Sequence, residues 1–168
     1  MKKLLILFVL VVLIFTVTSV SLAKSSITLN PFGAIFGFYD GQYELQLGKN
    51  AGLILGGRFF NYELSVNDSS ASFSGLGGRI GARIYPIAEF NGLFLQGHGG
   101  VNTLSITDGV ETASGTAFNI EGQAGFKWVS DNGFTFEFGI GEIYTMTEVE
   151  GAENGFSTDI VLNVGYTF

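Results

Sequence analysis

Seven charged side chains share one property of position: Glu44, Arg58, Arg79, Arg83, Glu121, Lys127 and Glu137 each fall between apolar residues in an alternating run. Alternation of this kind is the signature of a strand, whose successive side chains point to opposite faces, so all seven belong to polar faces. Four are cations and three are anions, and they can pair if those faces converge on a common interior. A buried charge is costly unless paired, and breaking a buried pair costs about 3–5 kcal/mol. The set is therefore expected to be a structural network rather than a catalytic one. The single histidine, His98, shares its polar face with Gln96 and Asn102. An imidazole acting as a general base needs a nucleophile within hydrogen-bond reach. The position two after His98 is Gly100, and the nearest serine in sequence, Ser105, lies at a strand end. Gln96, His98 and Asn102 are read as hydrogen-bonded polar lining, and no catalytic residue is assigned. With no cysteine, disulfides and thiolate metal sites are excluded. No metal or cofactor is expected.

A third constellation is acidic. Asp40, Glu63, Asp68, Asp108, Glu111, Glu148, Glu150 and Glu153 lie in or beside connectors, with no Lys or Arg among them. Such runs are ordinarily solvated loop faces. Hard divalent cations take oxygen ligands, but Glu148-Val-Glu150 lacks the spacing of a calcium loop. The whole chain carries 8 basic and 15 acidic residues, a net charge of −7. That balance argues against nucleic acid as a partner.

These side chains need strands to position them, and eight alternating segments can be drawn. The first is Ile27–Phe36, interrupted by Pro31, followed by a turn signal at Phe38-Tyr-Asp-Gly41. The second is Gln42–Gly48, with Tyr43, Leu45 and Leu47 opposite Glu44 and Gln46. The third, Ala51–Tyr62, sets Leu53, Leu55 and Phe59 against Ile54, Gly56, Arg58 and Phe60. A polar stretch, Ser65–Ser72, separates it from the fourth, Phe73–Tyr85. The fifth is Leu93–Leu104, and Thr107–Ser114 reads as an acidic loop. The sixth is Thr116–Trp128, the seventh Phe134–Thr145, and the eighth Thr158–Phe168. In the seventh, Glu142 falls on the apolar face, which predicts either a bulge or departure from the membrane there. Gly is abundant, at 25 residues, against 2 Pro, and 14% of residues are aromatic, a composition that suits strands rather than helices.

The first 23 residues explain how such a chain would leave the cytoplasm. Met1-Lys2-Lys3, an apolar run from Leu4, and Ser21-x-Ala23 before Lys24 have the three regions of a cleavable signal peptide. Removing it takes Lys2 and Lys3 and leaves 6 basic against 15 acidic residues, a net charge of about −9 over residues 24–168. No other run is long and apolar enough for a membrane helix, so any further insertion must use strands. Residues 24–168 are expected to form one domain.

Which face points inward decides between two architectures. A soluble lipid-binding barrel packs its apolar side chains inside. Here the apolar faces carry Phe and Tyr too bulky to fill so narrow an interior, while the polar faces carry the opposite charges and many of the Gly residues. Turned the other way, the charges pair inside and the aromatics meet lipid. Connectors also alternate in length as they do in a transmembrane barrel. The reading is all-β: an eight-stranded antiparallel up-and-down transmembrane β-barrel, closed by pairing of the last segment with the first.

Gly78-Arg-Ile-Gly-Ala-Arg-Ile-Tyr85, Gly97-His-Gly-Gly-Val101 and Val164-Gly-Tyr-Thr-Phe168 resemble the small OmpX/Ail-type eight-stranded outer-membrane proteins. Asn30-Pro31 with Tyr43-Glu44 is also similar to a group of uncharacterised bacterial outer-membrane barrels. The resemblance implies residence in the bacterial outer membrane, contact with its lipid, and a filled interior. It implies that Tyr166 and Phe168 form the C-terminal insertion signal read by the outer-membrane assembly machinery. It further implies a non-enzymatic role in envelope integrity or in binding a surface or host ligand through the outer loops. The alternatives are a lipid-modifying outer-membrane enzyme, a small channel, and a soluble secreted lipid-binding barrel.

Overall fold

The computed structural model describes residues 24–66, 69–108, 111–148 and 154–168, with side chains among them except at 64–66, 69–70, 108 and 111. The expected signal peptide lies outside the described residues. Eight strands run β1 (Ser25–Leu29), β2 (Phe38–Gln46), β3 (Ala51–Val66), β4 (Ser69–Ile84), β5 (Gly92–Asp108), β6 (Glu111–Val129), β7 (Phe134–Thr147) and β8 (Gly155–Thr167). Each pairs antiparallel with its neighbours in sequence, and β1 pairs with β8, giving a closed barrel. No helix among the described residues is long and apolar enough to cross a membrane. Such an observation says nothing of crossing by strands.

The faces separate as alternation requires. Leu76, Ile80, Leu95, Ile120, Ile140 and Ile160 are exposed on the outer wall, whereas Glu44, Arg83, Lys127 and Glu137 are buried in the lumen. Outward aromatics gather at two levels. Trp128, Phe134 and Tyr166 lie toward the end that holds Ser25 and Phe168, called here the terminal end; Tyr39, Phe59, Tyr144 and Phe156 lie toward the far end. From Phe134 to Tyr144 is about 33 Å of strand, or about 25 Å along the barrel axis at the usual tilt, which matches the apolar band of membrane barrels.

The first segment departs from expectation. β1 has 5 residues, and Pro31–Ile35 form a short helix, α1. Pro31 occupies the first helical turn, where its missing N–H costs nothing, and the Asn30 side chain caps the Gly33 N–H at 2.9 Å. Gly37, at φ +80°, turns the chain back, and its carbonyl accepts from the Asn61 N–H at 3.0 Å. Phe38–Gly41, read from sequence as a turn, is instead paired strand, Phe38↔Phe60 to Gly41↔Gly57.

Two polar connectors are also strand rather than loop over their described residues. β3 and β4 stay in register to Val66↔Ser69, and β5 and β6 to Asp108↔Glu111. Ser and Thr there keep the alternation, and pairs such as Thr107 Oγ1 with Thr112 Oγ1 at 3.0 Å bridge the strands. β7 carries no bulge at Glu142: register is unbroken from Gly141↔Asp159 through Glu142↔Thr158 to Ile143↔Ser157. Glu142 is exposed and accepts from Thr158 Oγ1 at 3.0 Å.

Candidate functional site

The lumen is filled in three layers. At the terminal end Tyr85, Phe90 and Phe94 form a buried aromatic plug. Above it Arg83 Nη1 donates to Glu137 Oε1 at 2.7 Å and to Glu44 Oε2 at 3.1 Å, while Lys127 Nζ donates to Glu44 Oε2 at 2.8 Å. The plug serves the cations as well: the Arg83 guanidinium lies 4.0 Å from the Phe94 ring centroid and Lys127 Nζ 3.9 Å from that of Phe90. Tyr85 Oη donates to Glu44 Oε1 at 2.8 Å, and Gln42 Nε2 to Glu137 Oε2 at 2.8 Å. Asn163 Nδ2 adds a longer bond to Glu137 at 3.3 Å. Two cations thus meet two carboxylates with the remaining lone pairs occupied. Gly52 makes this possible, because a Cβ there would overlap the Glu44 carboxylate.

The middle layer belongs to His98. Its Nε2 lies 2.8 Å from Glu121 Oε2 and its Nδ1 3.1 Å from Gln96 Nε2, so both ring nitrogens are engaged. Gln123 Nε2 donates to Glu121 Oε1 and, at 2.9 Å, to Asp159 Oδ2. Glu121 therefore pairs with the imidazole and the Gln123 amide rather than with Lys or Arg.

Nearer the far end, Asp40 holds Arg58 and Arg79. Arg79 binds it through both terminal nitrogens, at 2.5 and 2.6 Å, and Arg58 through Nε at 2.8 Å. Asp40 was grouped from sequence with solvated connector acids. The structure corrects this: β2 begins at Phe38, which gives Asp40 the parity of Gln42 and Glu44 and turns it inward. Asn102 lines a small gap with Arg58, Arg79 and Glu121. Gly56 admits Arg79, since a Cβ there would stand 2.6 Å from its Nε. Of the other connector acids, Glu63 and Glu148 are exposed, and the side chains of Asp68, Asp108, Glu111, Glu150 and Glu153 lie outside those described.

Tyr166 and Phe168 are exposed on the outer wall. Phe168 closes the barrel through its backbone, which exchanges two bonds of 2.8 Å with Ser25.

Sequence reasoning put Asp40 in a connector and passed over Asp159, Gln42, Tyr85, Phe90 and Phe94. Parity was a usable signal for the first three. Parity also pointed Tyr85, with Arg83, and Phe94, with Gln96, inward; only Phe90 lies in the connector Pro86–Asn91, where alternation carries no information.

These features define a transmembrane-type β-barrel: eight strands, an apolar outer belt between aromatic levels, and a polar filled lumen. No family model and no curated protein matches the sequence. Among solved structures, the chain is similar to Ail, the attachment invasion locus protein of Yersinia pestis, solved in complex with the heparin analogue sucrose octasulfate. The match covers 87% of this chain and 99% of Ail, with a TM-score of 0.55 and 15% identity. At that identity the likeness shows a common fold.

Proposed function

We propose that this chain is an integral protein of a bacterial outer membrane, exported by a signal peptide over residues 1–23, with a structural or surface-binding role and no catalytic activity. One observation carries the reading: a wall of exposed Leu, Ile and Phe bounded by aromatics encloses a charged lumen, an arrangement that lipid favours and water does not. In this reading the terminal end faces the periplasm, and the far-end connectors face outward. Tyr166 and Phe168 are the outward aromatics that the assembly machinery would read.

The engagement of both His98 nitrogens supports a structural rather than a catalytic imidazole. Burial of Tyr85, Phe90 and Phe94 across the base supports a sealed interior over a conducting one. Any surface ligand would meet the far-end connectors. Ail is solved with a sulfated ligand, but a chain of net charge −7 with exposed Glu63, Glu142 and Glu148 repels polyanions. A neutral or cationic partner suits this surface better.

Cell fractionation with a heat-modifiability gel tests the proposal. The expected result is partition with outer membranes and a mobility shift on boiling. Recovery in the soluble periplasmic fraction would overturn it and favour the secreted lipid-binding barrel.

A further inference from the structure

The barrel wall is incomplete as a sheet. β1 pairs with β8 only from Ser26↔Thr167 to Leu29↔Val164, so β8 from residue 155 to 163 has β7 as its one strand neighbour. α1 packs in that seam, against β2 and β8. Its Phe32 and Ile35, with Phe36 after it, are exposed outward, as are Phe156 and Ile160 across the seam. An uncovered sheet edge does not persist in hydrocarbon, and irregular backbone at membrane depth is tolerated where it lines a cavity.

Behind the seam there is such a cavity, of about 460 Å³, within the range of roughly 300–1,000 Å³ typical of ligand pockets. Asn30 and Gly33 line it from the helix side, and Ser157, Thr158 and Asp159 from β8. Thr158, of outward parity, lines it beside the inward-facing Ser157 and Asp159.

Its charges are separated. On one side two arginines share the single carboxylate of Asp40, leaving that group with an excess positive charge. Arg58 is the more open of the two, at 26% against 11% for Arg79. Among the described residues its guanidinium makes one hydrogen bond, through Nε, so both terminal nitrogens are left to the cavity. Arg79 Nε is buried with no hydrogen-bond partner. On the other side stands Asp159, which accepts from Gln123 Nε2 at 2.9 Å and lines the cavity. Arg58 and Asp159 both line the cavity and form no ion pair with each other.

We propose that this cavity binds the head group of a zwitterionic phospholipid, which enters from the bilayer between α1 and β8. The phosphate lies against the terminal nitrogens of Arg58, and the ammonium against Asp159. The acyl chains stay outside, on Phe32, Ile35, Phe36, Phe156 and Ile160. Intramembrane charges facing a cavity are where membrane proteins recognise polar ligands, and basic pockets between spans take lipid phosphates.

The inference rests on the reading of the chain as membrane-inserted, so the test begins with full-length barrel refolded in a maltoside detergent and shown by its gel shift to be folded. Failure at that step counts against the membrane reading alone. Folded protein is then titrated with short-chain phosphatidylethanolamine, short-chain phosphatidylglycerol or free phosphoethanolamine, and bound molecules are counted by native mass spectrometry. The expected result is one phosphatidylethanolamine per barrel, held about tenfold more tightly than phosphatidylglycerol. Arg58→Gln and Asp159→Asn should each weaken it about tenfold. Asp159→Asn keeps the side-chain shape and gives a result even if Arg58→Gln misfolds. Equal retention of the two lipids, or wild-type affinity in Asp159→Asn, would overturn the proposal. Phosphoethanolamine binding as tightly as the lipid would overturn lateral entry.

Discussion

Replacing Glu137 with Gln removes one of two negative charges from a sealed compartment and little else. The wild-type carboxylate accepts from Arg83 at 2.7 and 3.3 Å, from Gln42 at 2.8 Å and from Asn163 at 3.3 Å. An amide in its place sets an NH₂ against donors, and it leaves Arg83 and Lys127 facing Glu44 alone. Neither cation can reach water, because both side chains are 0% exposed. Breaking a buried pair by removing one partner costs about 3–5 kcal/mol, and that is the loss expected for Glu137→Gln. Lys127→Met in the same chain restores the balance of one cation to one carboxylate. Lys127 Nζ is 3.9 Å from Glu137 Oε1, so the two losses should fall short of additivity by about 1–3 kcal/mol. Urea unfolding in lipid vesicles, followed by fluorescence of the single tryptophan, Trp128, measures both quantities. Glu142→Gln, on the exposed outer face, is the control and should stay within about 0.5 kcal/mol of wild type. A Glu137→Gln loss no larger than that control, or strict additivity with Lys127→Met, would refute a paired interior.

Glycine placement is expected to be asymmetric between neighbours. Gly56→Ala should cost about 1–3 kcal/mol in the same unfolding assay, because its Cβ would meet Arg79 at 2.6 Å and push it off Asp40. Gly57→Ala, with its nearest neighbour at 3.9 Å, should cost far less, and similar losses at the two sites would sink the crowding explanation. Gly37→Ala should cost about 1–3 kcal/mol, since φ is +80° and a Cβ would overlap the Asn61 carbonyl; an unchanged unfolding midpoint would show that the turn into β2 relaxes freely. In planar bilayers the wild-type barrel should pass no steady current, while Phe90→Ala with Phe94→Ala should open discrete steps. Conductance in the wild type would show that the aromatic plug does not seal the base.

The reach of the sequence reading follows from what alternation can and cannot encode. Where side chains simply switch between lipid and lumen, as in β4 and β8, period two fixes the face of every residue, and Arg79, Arg83 and Asn163 could be placed inward without a structure. Element ends were less legible, because the signals used to end a strand were compositional. The serines between Ser65 and Ser72 look like loop residues, yet they pair across β3 and β4 because a strand standing clear of lipid needs no apolar face. The same bias hid Asp40: a carboxylate beside Gly41 reads as a turn until the strand is extended through it.

The seam shows a deeper limit. Pro31 marked an interruption in the first segment, but whether the chain resumes as strand or diverts into a helix depends on the neighbouring wall. In a soluble protein, the exposed Phe32, Ile35 and Phe36 would be a fault in a polar surface. Beside an unpaired stretch of β8 they are the means of covering a sheet edge that lipid cannot hydrogen-bond. The cover also costs rigidity: one turn of helix, entered through Asn30 and left through Gly37, replaces a full ladder of strand bonds. The same substitution that closes the wall therefore leaves its least-bonded stretch directly over Arg58 and Asp159, the charges least committed to partners within the barrel.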